Sequence, residues 1–186
     1  MSIKYAILGL LSWTPLTGYD LKKRFAELPM LYWSGSNNQI YHTLVDLHRD
    51  GLVSLDIQPQ EKHPPRKIYR ITEAGRDDLR RWVLAGPELP QIKSTFLIQL
   101  AWADALSAAE LDTLLARYED ELHVYGQMLR TQQQRGSINP ARTPRERRLW
   151  EAIWAHWMAW YDAELAWVRS LRTELNPSGS GKDSHP

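Results

Sequence analysis

Two short stretches of this chain alternate apolar and polar residues, "LVSLDIQ" (52–58) and "KIYRIT" (67–72), and the rest of its apolar pattern has helical period. Between the two lies "PQEKHPPR" (59–66), whose prolines cannot sit inside a sheet. One β-hairpin with a stiff tip is therefore expected in a mainly helical chain. Residues 60–70 hold four basic side chains and one acid, so the hairpin is also basic.

Three helical segments precede the hairpin. Ile3, Ile7, Leu10 and Leu11 share a face in the first, from about Ile3 to Ser12. "WTPLTG" breaks it. Thr17, with Asp20 three residues on, starts a second helix over about Gly18–Leu28, with Leu21, Phe25 and Leu28 as its buried stripe. Lys22, Lys23 and Arg24 lie around its polar side and read as a solvated face. Ser36 and Gln39 form a capping box for a third helix that stops at Gly51. Its apolar side is Ile40, Leu44 and Leu47. Asn38, His42, Val45 and Arg49 point the opposite way at about 100° per residue, with Tyr41 and Asp46 on the flanks. After the hairpin, Thr72 caps a fourth helix, with Leu79, Trp82 and Val83 expected inward.

Beyond "PELPQIK" (87–93) the pattern is all helix. One helix is expected over about Thr95–Ala105. Ser107 and Glu110 open a long one in which Leu111, Leu115, Tyr118, Leu122, Tyr125 and Leu129 recur at spacings of four and three. Thr143, Pro144 and Glu146 open the last helix, whose seam is Trp150, Trp154, Trp157, Tyr161, Val168 and Leu171, interrupted at Glu164. These two helices should form an antiparallel hairpin. The expected organisation is 1–86 a winged helix-turn-helix with a two-stranded wing, 87–94 a linker, 95–175 an all-helical domain for dimerisation and effector binding, and 176–186 a disordered tail. The fold class is mainly α, with the α+β element confined to the first part.

Several functions are disfavoured. No apolar run approaches the roughly 18 residues that a membrane span needs. The chain has no cysteine, which excludes disulfides, zinc ribbons and cysteine nucleophiles and is compatible with a reducing cytoplasm. No cofactor is implied. His123 near Glu119 and His156 near Glu164 could be named acid–base pairs. Neither has a nucleophile or a glycine-rich phosphate loop beside it, and there is no His-Glu-x-x-His spacing. An enzyme is not expected.

Helix, helix, helix, strand, basic hairpin, strand is the order of a winged helix-turn-helix. A major groove admits one α-helix, and base edges there present distinct donor and acceptor patterns. A helix anchored by three apolar residues, with Asn, His and Arg opposite, suits that groove. Lys62, Arg66 and Lys67 give the wing charge for the adjoining backbone. The net charge is +1, but residues 1–86 carry +3 and residues 87–186 carry −2, as for a DNA-binding half and a neutral partner half. A winged helix used only for protein–protein contact is the alternative, and salt-dependent binding to duplex DNA separates the two.

"ILGLL" (7–11), "TGYDLKKRF" (17–25), "QIYHTLVDLHRDGLV" (39–53) and "RKIYRITEAG" (66–75) together resemble the PadR family of bacterial transcriptional regulators, in the branch with a C-terminal helical dimerisation domain. The resemblance implies a homodimeric cytoplasmic protein, most often a repressor, on a palindromic double-stranded operator, released by a small, often aromatic effector. It implies phosphate contacts from Tyr19 and Tyr41, a base-facing group of Asn37, Asn38 and His42 beginning at Ser36, and wing contacts from Arg66 and Lys67 beside Lys62. Family recognition helices often carry proline and a basic residue near positions 42 and 46. His42 and Asp46 stand there in this chain, so weaker phosphate attraction along that helix is expected. Aromatic residues crowd the last helix, five of the nine tryptophans lying between Trp150 and Trp167. Most should pack in the core or dimer interface, and Trp150, Trp154, Trp157 and Tyr161 are the candidate effector residues.

Overall fold

The computed structural model describes residues 3–28, 37–61, 65–87, 89, 94–134 and 142–175, with the backbone alone at 37. They fall into two compact units, Met1–Leu89 and Pro90–Pro186.

The first unit runs α1 (Ile3–Trp13), β1 (Leu16–Thr17), α2 (Gly18–Glu27), α3 (Asn37–Arg49), β2 (Val53–Gln58), β3 (Arg66–Ile71) and α4 (Glu73–Leu84). Helix α1 is buried on more than one side, Leu8 included, because α2, α3, α4 and β3 all pack on it. Leu21 and Leu28 of α2, Ile40, Leu44 and Leu47 of α3, Val53 of β2 and Tyr69 of β3 complete the core. Fully burying one leucine is worth about 1.5–3 kcal/mol, so the three anchors hold α3 firmly by its inner edge.

The hairpin belongs to a three-stranded antiparallel sheet in the order β1-β3-β2. Val53 pairs with Ile71 and Gln58 with Arg66 across the hairpin, while Leu16 and Thr17 pair with Tyr69 and Ile68. The two-stranded wing expected from sequence thus gains a short third strand at its root, where Leu16 is buried. A second departure lies on α4. Trp82 and Val83 are exposed and Leu79 is half-buried. Gly75 is the buried residue of that helix, and Trp82 lies flat on Tyr5 of α1 with ring centroids 4.5 Å apart, so one face stays open. An ion pair from Lys4 to Asp78 at 2.7 Å reinforces the α1–α4 packing.

The second unit contains α5 (Thr95–Ala101), a 3₁₀ turn (Ala103–Ala105), α6 (Ala108–Gln134) and α7 (Pro144–Leu175). The helix expected over 95–105 therefore breaks at Trp102, whose backbone leaves the α region (φ −109°, ψ 11°). Along α6, Leu115, Leu122 and Leu129 are buried while Leu111, Tyr118 and Tyr125 are half-buried, so the seam has an inner and an outer row. It packs on Val168, Leu165, Leu171 and Tyr161 of α7 and on Phe96 of α5. The two long helices are antiparallel: Asp112 meets Arg172, Glu119 meets Arg169, and Arg130 meets Asp162. The break at Glu164 has a partner, since the Tyr118 hydroxyl donates to its carboxylate at 2.8 Å. Burial and that carboxylate push the Tyr118 phenol well above its ordinary range. No helix among the described residues is long and apolar enough to cross a membrane. The expected tail and most of the expected linker lie outside the described residues.

Candidate nucleic-acid interface

Helix α3 ends in a double lock. The Leu52 amide donates to the Leu47 carbonyl at 2.9 Å and the Gly51 amide to that of His48 at 3.1 Å. This Schellman pairing needs a left-handed residue, and Gly51 supplies it at φ 70°. Thr72 then ties the start of α4 to the same turn. Its amide donates to the Leu52 carbonyl, its hydroxyl donates to the Gly51 carbonyl at 2.8 Å, and the hydroxyl accepts from the Gly75 amide at 3.1 Å. A side chain at Gly75 would fall on the Leu52 carbonyl, so glycine is what lets α4 approach. The inner face and the C-terminus of α3 are thus both fixed to the scaffold that carries the wing.

The outer face is free of that scaffold. Asn38, His42, Val45 and Arg49 are all exposed, as the spacing predicts. Arg49 is engaged from two sides, by Asp46 at 3.0 Å and by Asp50 at 3.2 Å. Both carboxylates lie within three residues of it, a pairing that sequence spacing could have flagged. His48 turns back toward the wing root, its Nδ1 lying 3.2 Å from the Val53 carbonyl oxygen.

Helix α2 begins with a full capping box. The Asp20 amide donates to the Thr17 hydroxyl at 3.1 Å, and the Thr17 amide donates to the Asp20 carboxylate at 3.0 Å. Partial burial would raise the Asp20 carboxyl, but the bonds from Thr17 and the nearby Arg66 guanidinium outweigh it and hold the group below its ordinary value. Arg66 reaches that carboxylate at 3.5 Å from the first position of β3. Tyr19 stands beside it, 70% exposed. Tyr41 leans on the start of α2 and is 48% exposed. Its ring occupies the space a side chain at Gly18 would need, with Cδ1 and Cζ 3.1 and 3.2 Å from where a Cβ would stand. Burial and the neighbouring Tyr41 push the Tyr69 phenol up. Tyr19, Tyr41 and Arg66 therefore gather around the α2 N-terminus, and Lys67, next to Arg66 at the tip end of β3, is exposed. Ser36, Lys62 and the side chain of Asn37 lie outside the described residues.

The candidate effector residues sit differently. Trp154 is buried, and Trp150, Trp157 and Tyr161 are half-buried. Trp157 and Tyr161 lie 6.4 Å apart, and Tyr161 also meets Tyr125 at 5.3 Å. Trp160, which the sequence places on another face, joins them edge-on, 4.8 Å from Tyr161 and 6.3 Å from Trp157. The carboxylates considered for acid–base work have other partners. Arg169 and Arg172 grip Glu119 and hold its carboxyl below the usual range, while His123 lies 2.8 Å from Gln127.

Residues 7–81 match the model of the transcriptional regulator PadR-like family. Over 121 residues the chain is 31% identical to the negative transcriptional regulator PadR of Bacillus subtilis (strain 168), covering 64% of this chain and 65% of that protein. The match thus spans slightly under two thirds of the relative's own length. The crystal structure of Bacillus subtilis PadR in complex with operator DNA superposes with a TM-score of 0.80 at 23% identity, over 93% of this chain and 98% of that one. A structure of the same protein with p-coumaric acid gives 0.74 at 23% identity, over 94% and 98%. The Vibrio cholerae virulence activator AphA gives 0.70 at 26% identity, over 95% and 99%.

Proposed function

We propose that the chain is a member of the PadR-like family of transcriptional regulators, whose model matches residues 7–81, and that it is a homodimeric repressor whose first unit reads a palindromic operator and whose second unit makes the dimer and binds a small aromatic effector. The observation that carries the DNA reading is the two-faced α3. Its inner edge is anchored by Ile40, Leu44 and Leu47, and its opposite edge offers Asn38 and His42 in a unit whose wing is basic. Asn38 and His42, with Asn37 and Ser36 at the helix start, face bases. Tyr19, Tyr41, Lys62, Arg66 and Lys67 hold phosphates.

Repression is supported by the Bacillus relative, which is a negative regulator, and its structure with operator DNA supports an operator as the partner. AphA, of the same fold, is a virulence activator, so the fold by itself does not set the sign of regulation. The effector is supported by the p-coumaric acid complex of Bacillus PadR and by the Trp157, Trp160 and Tyr161 cluster. Two recognition helices must lie about 34 Å apart to enter successive major grooves on one face of the duplex. An effector that binds better to a dimer with another spacing lowers DNA affinity by its differential affinity for the two states.

The test is binding to labelled duplexes, first of mixed sequence and then of the DNA upstream of the chain's own gene, across a salt series. A DNA reader shows log affinity falling linearly with log salt. A winged helix that serves only protein contact shows no such binding. Phenolic acids added to the complex should quench tryptophan fluorescence and release DNA together. Quenching without release removes the regulatory role of the cluster.

A further inference from the structure

The outer face of α3 holds one side chain that phosphate contact and hydrogen bonding leave unused. Val45 is 61% exposed. At about 100° per residue it stands within roughly 20° of Asn38 and about 160° from Leu47, directly away from the core. A lone surface valine is ordinary in itself. This one is framed by Asn38, His42 and Arg49, all exposed, and Asp46 and Asp50 draw the Arg49 guanidinium along the last turn of the helix. A valine in a helix is also nearly fixed at χ1, so its two methyls are presented in one arrangement.

The major groove has one apolar feature, the 5-methyl group of thymine. We propose that Val45 reads a thymine methyl in each operator half-site. This rests on the DNA reading above and adds a specificity-determining residue to it. Val45 is seven residues beyond Asn38, about 10 Å along the helix at roughly 1.5 Å per residue. With bases about 3.4 Å apart along a strand, the thymine lies about three base pairs from the base that depends on Asn38.

The experiment uses the full chain and a duplex that it selects from a random-sequence pool. Each thymine is replaced in turn by uracil, which differs only in lacking the methyl group. One position per half-site should lose about three- to tenfold in affinity, the worth of one buried methyl contact. Val45→Ser should bind the thymine duplex weaker by the same factor and no longer distinguish uracil. Val45→Thr keeps a methyl on Cβ and should retain the discrimination. Val45 is outside the core, so the thermal melt of both variants should match that of the native chain. If no uracil weakens the native complex, or if Val45→Ser still discriminates, the inference is overturned while DNA binding stands. If the pool yields no enriched sequence, the DNA reading falls and the inference with it.

Discussion

The fit between Gly18 and Tyr41 makes the proposed phosphate contact of Tyr41 measurable without touching that residue. In Gly18→Ala the new methyl would stand 3.1 Å from Cδ1 and 3.2 Å from Cζ of the ring, with Cε1 closer still. Carbon atoms rest at about 3.5–4.0 Å, so the ring must retreat by up to about an ångström or swing outward. Tyr41 is half exposed and can yield, and alanine at the first position of α2 regains at most the roughly 0.8–1.0 kcal/mol of helix propensity that glycine loses in a helix interior. Folding stability should therefore change by less than about 1 kcal/mol. The hydroxyl, however, leaves its place. A hydroxyl–phosphate bond needs about 2.5–3.0 Å, and losing one to a charged acceptor costs about 1.5–3 kcal/mol, or roughly ten- to a hundredfold in Kd. Fluorescence anisotropy on a mixed-sequence duplex at low salt reads this directly, since a phosphate contact is indifferent to sequence. Tyr41→Phe should lose the same factor, and the double variant should lose no more than Tyr41→Phe alone. Native-like binding by Gly18→Ala refutes the reasoning. So does an equal further loss in the Phe background, because the methyl would then act through something other than the hydroxyl.

Five further outcomes are expected. Arg66→Ala with Lys67→Ala should weaken binding to all sequences and flatten the salt slope by up to about two phosphate contacts, and an unchanged slope in an anisotropy titration removes the wing from the backbone. Gly75→Ala should cost about 1–3 kcal/mol in urea unfolding by overpacking, because a Cβ would lie 2.9 Å from Ile71 Cγ1 and 3.1 Å from the Leu52 carbonyl carbon. Gly9→Ala should instead gain about 0.5–1 kcal/mol, since a Cβ at Gly9 meets nothing within 4 Å. The Asp20 cap stabilises the first unit fully above the unfolded carboxyl value of about 3.9, and because its folded value is depressed, the contribution should fade as pH falls through that folded value; Asp20→Asn should flatten this part of a stability–pH profile. Ending the chain before Pro87 should leave a first unit that is monomeric by sedimentation at micromolar concentration, and a dimeric fragment would take the dimer function away from the second unit.

Local chemistry made most of this fold legible. The Thr17–Asp20 box, the Gly51 stop and the Thr72 cap depend on residues within a few positions of one another, so their patterns transfer directly from sequence to structure. The two faces of α3 follow from helical period alone. What escaped notice depends on partners distant in the chain. Strand β1 is two residues long and exists only because Tyr69 and Ile68 offer it an edge. Trp82 fits an inward position by period, yet Tyr5 of α1 holds it flat at the surface. Trp160 is an exception: it lies only three residues from Trp157, a spacing at which helix side chains are neighbours, and their rings meet edge-on. The Gly18–Tyr41 fit joins residues on two helices and leaves no periodic trace.

The charge layout then bears on how reading and holding are divided. The family resemblance suggests weak phosphate attraction along α3, and the structure supplies a reason beyond residue type. The arginine of that helix is bridged by Asp46 and Asp50 within the same turn region, so freeing it for DNA would require breaking two contacts. Each is exposed and worth at most about 1 kcal/mol, but together they oppose any phosphate contact that Arg49 could make. On the wing the arrangement is milder, because Arg66 meets Asp20 only at 3.5 Å and Lys67, the next residue of β3, is exposed. Electrostatic attraction should therefore come from the wing, while α3 contributes hydrogen bonds and the proposed apolar contact of Val45. A variant of α3 should then change which sequence is bound at nearly constant salt slope, and a variant of the wing should change the slope at nearly constant sequence preference. Finding both effects in one variant of either element would mean that the two functions share residues after all.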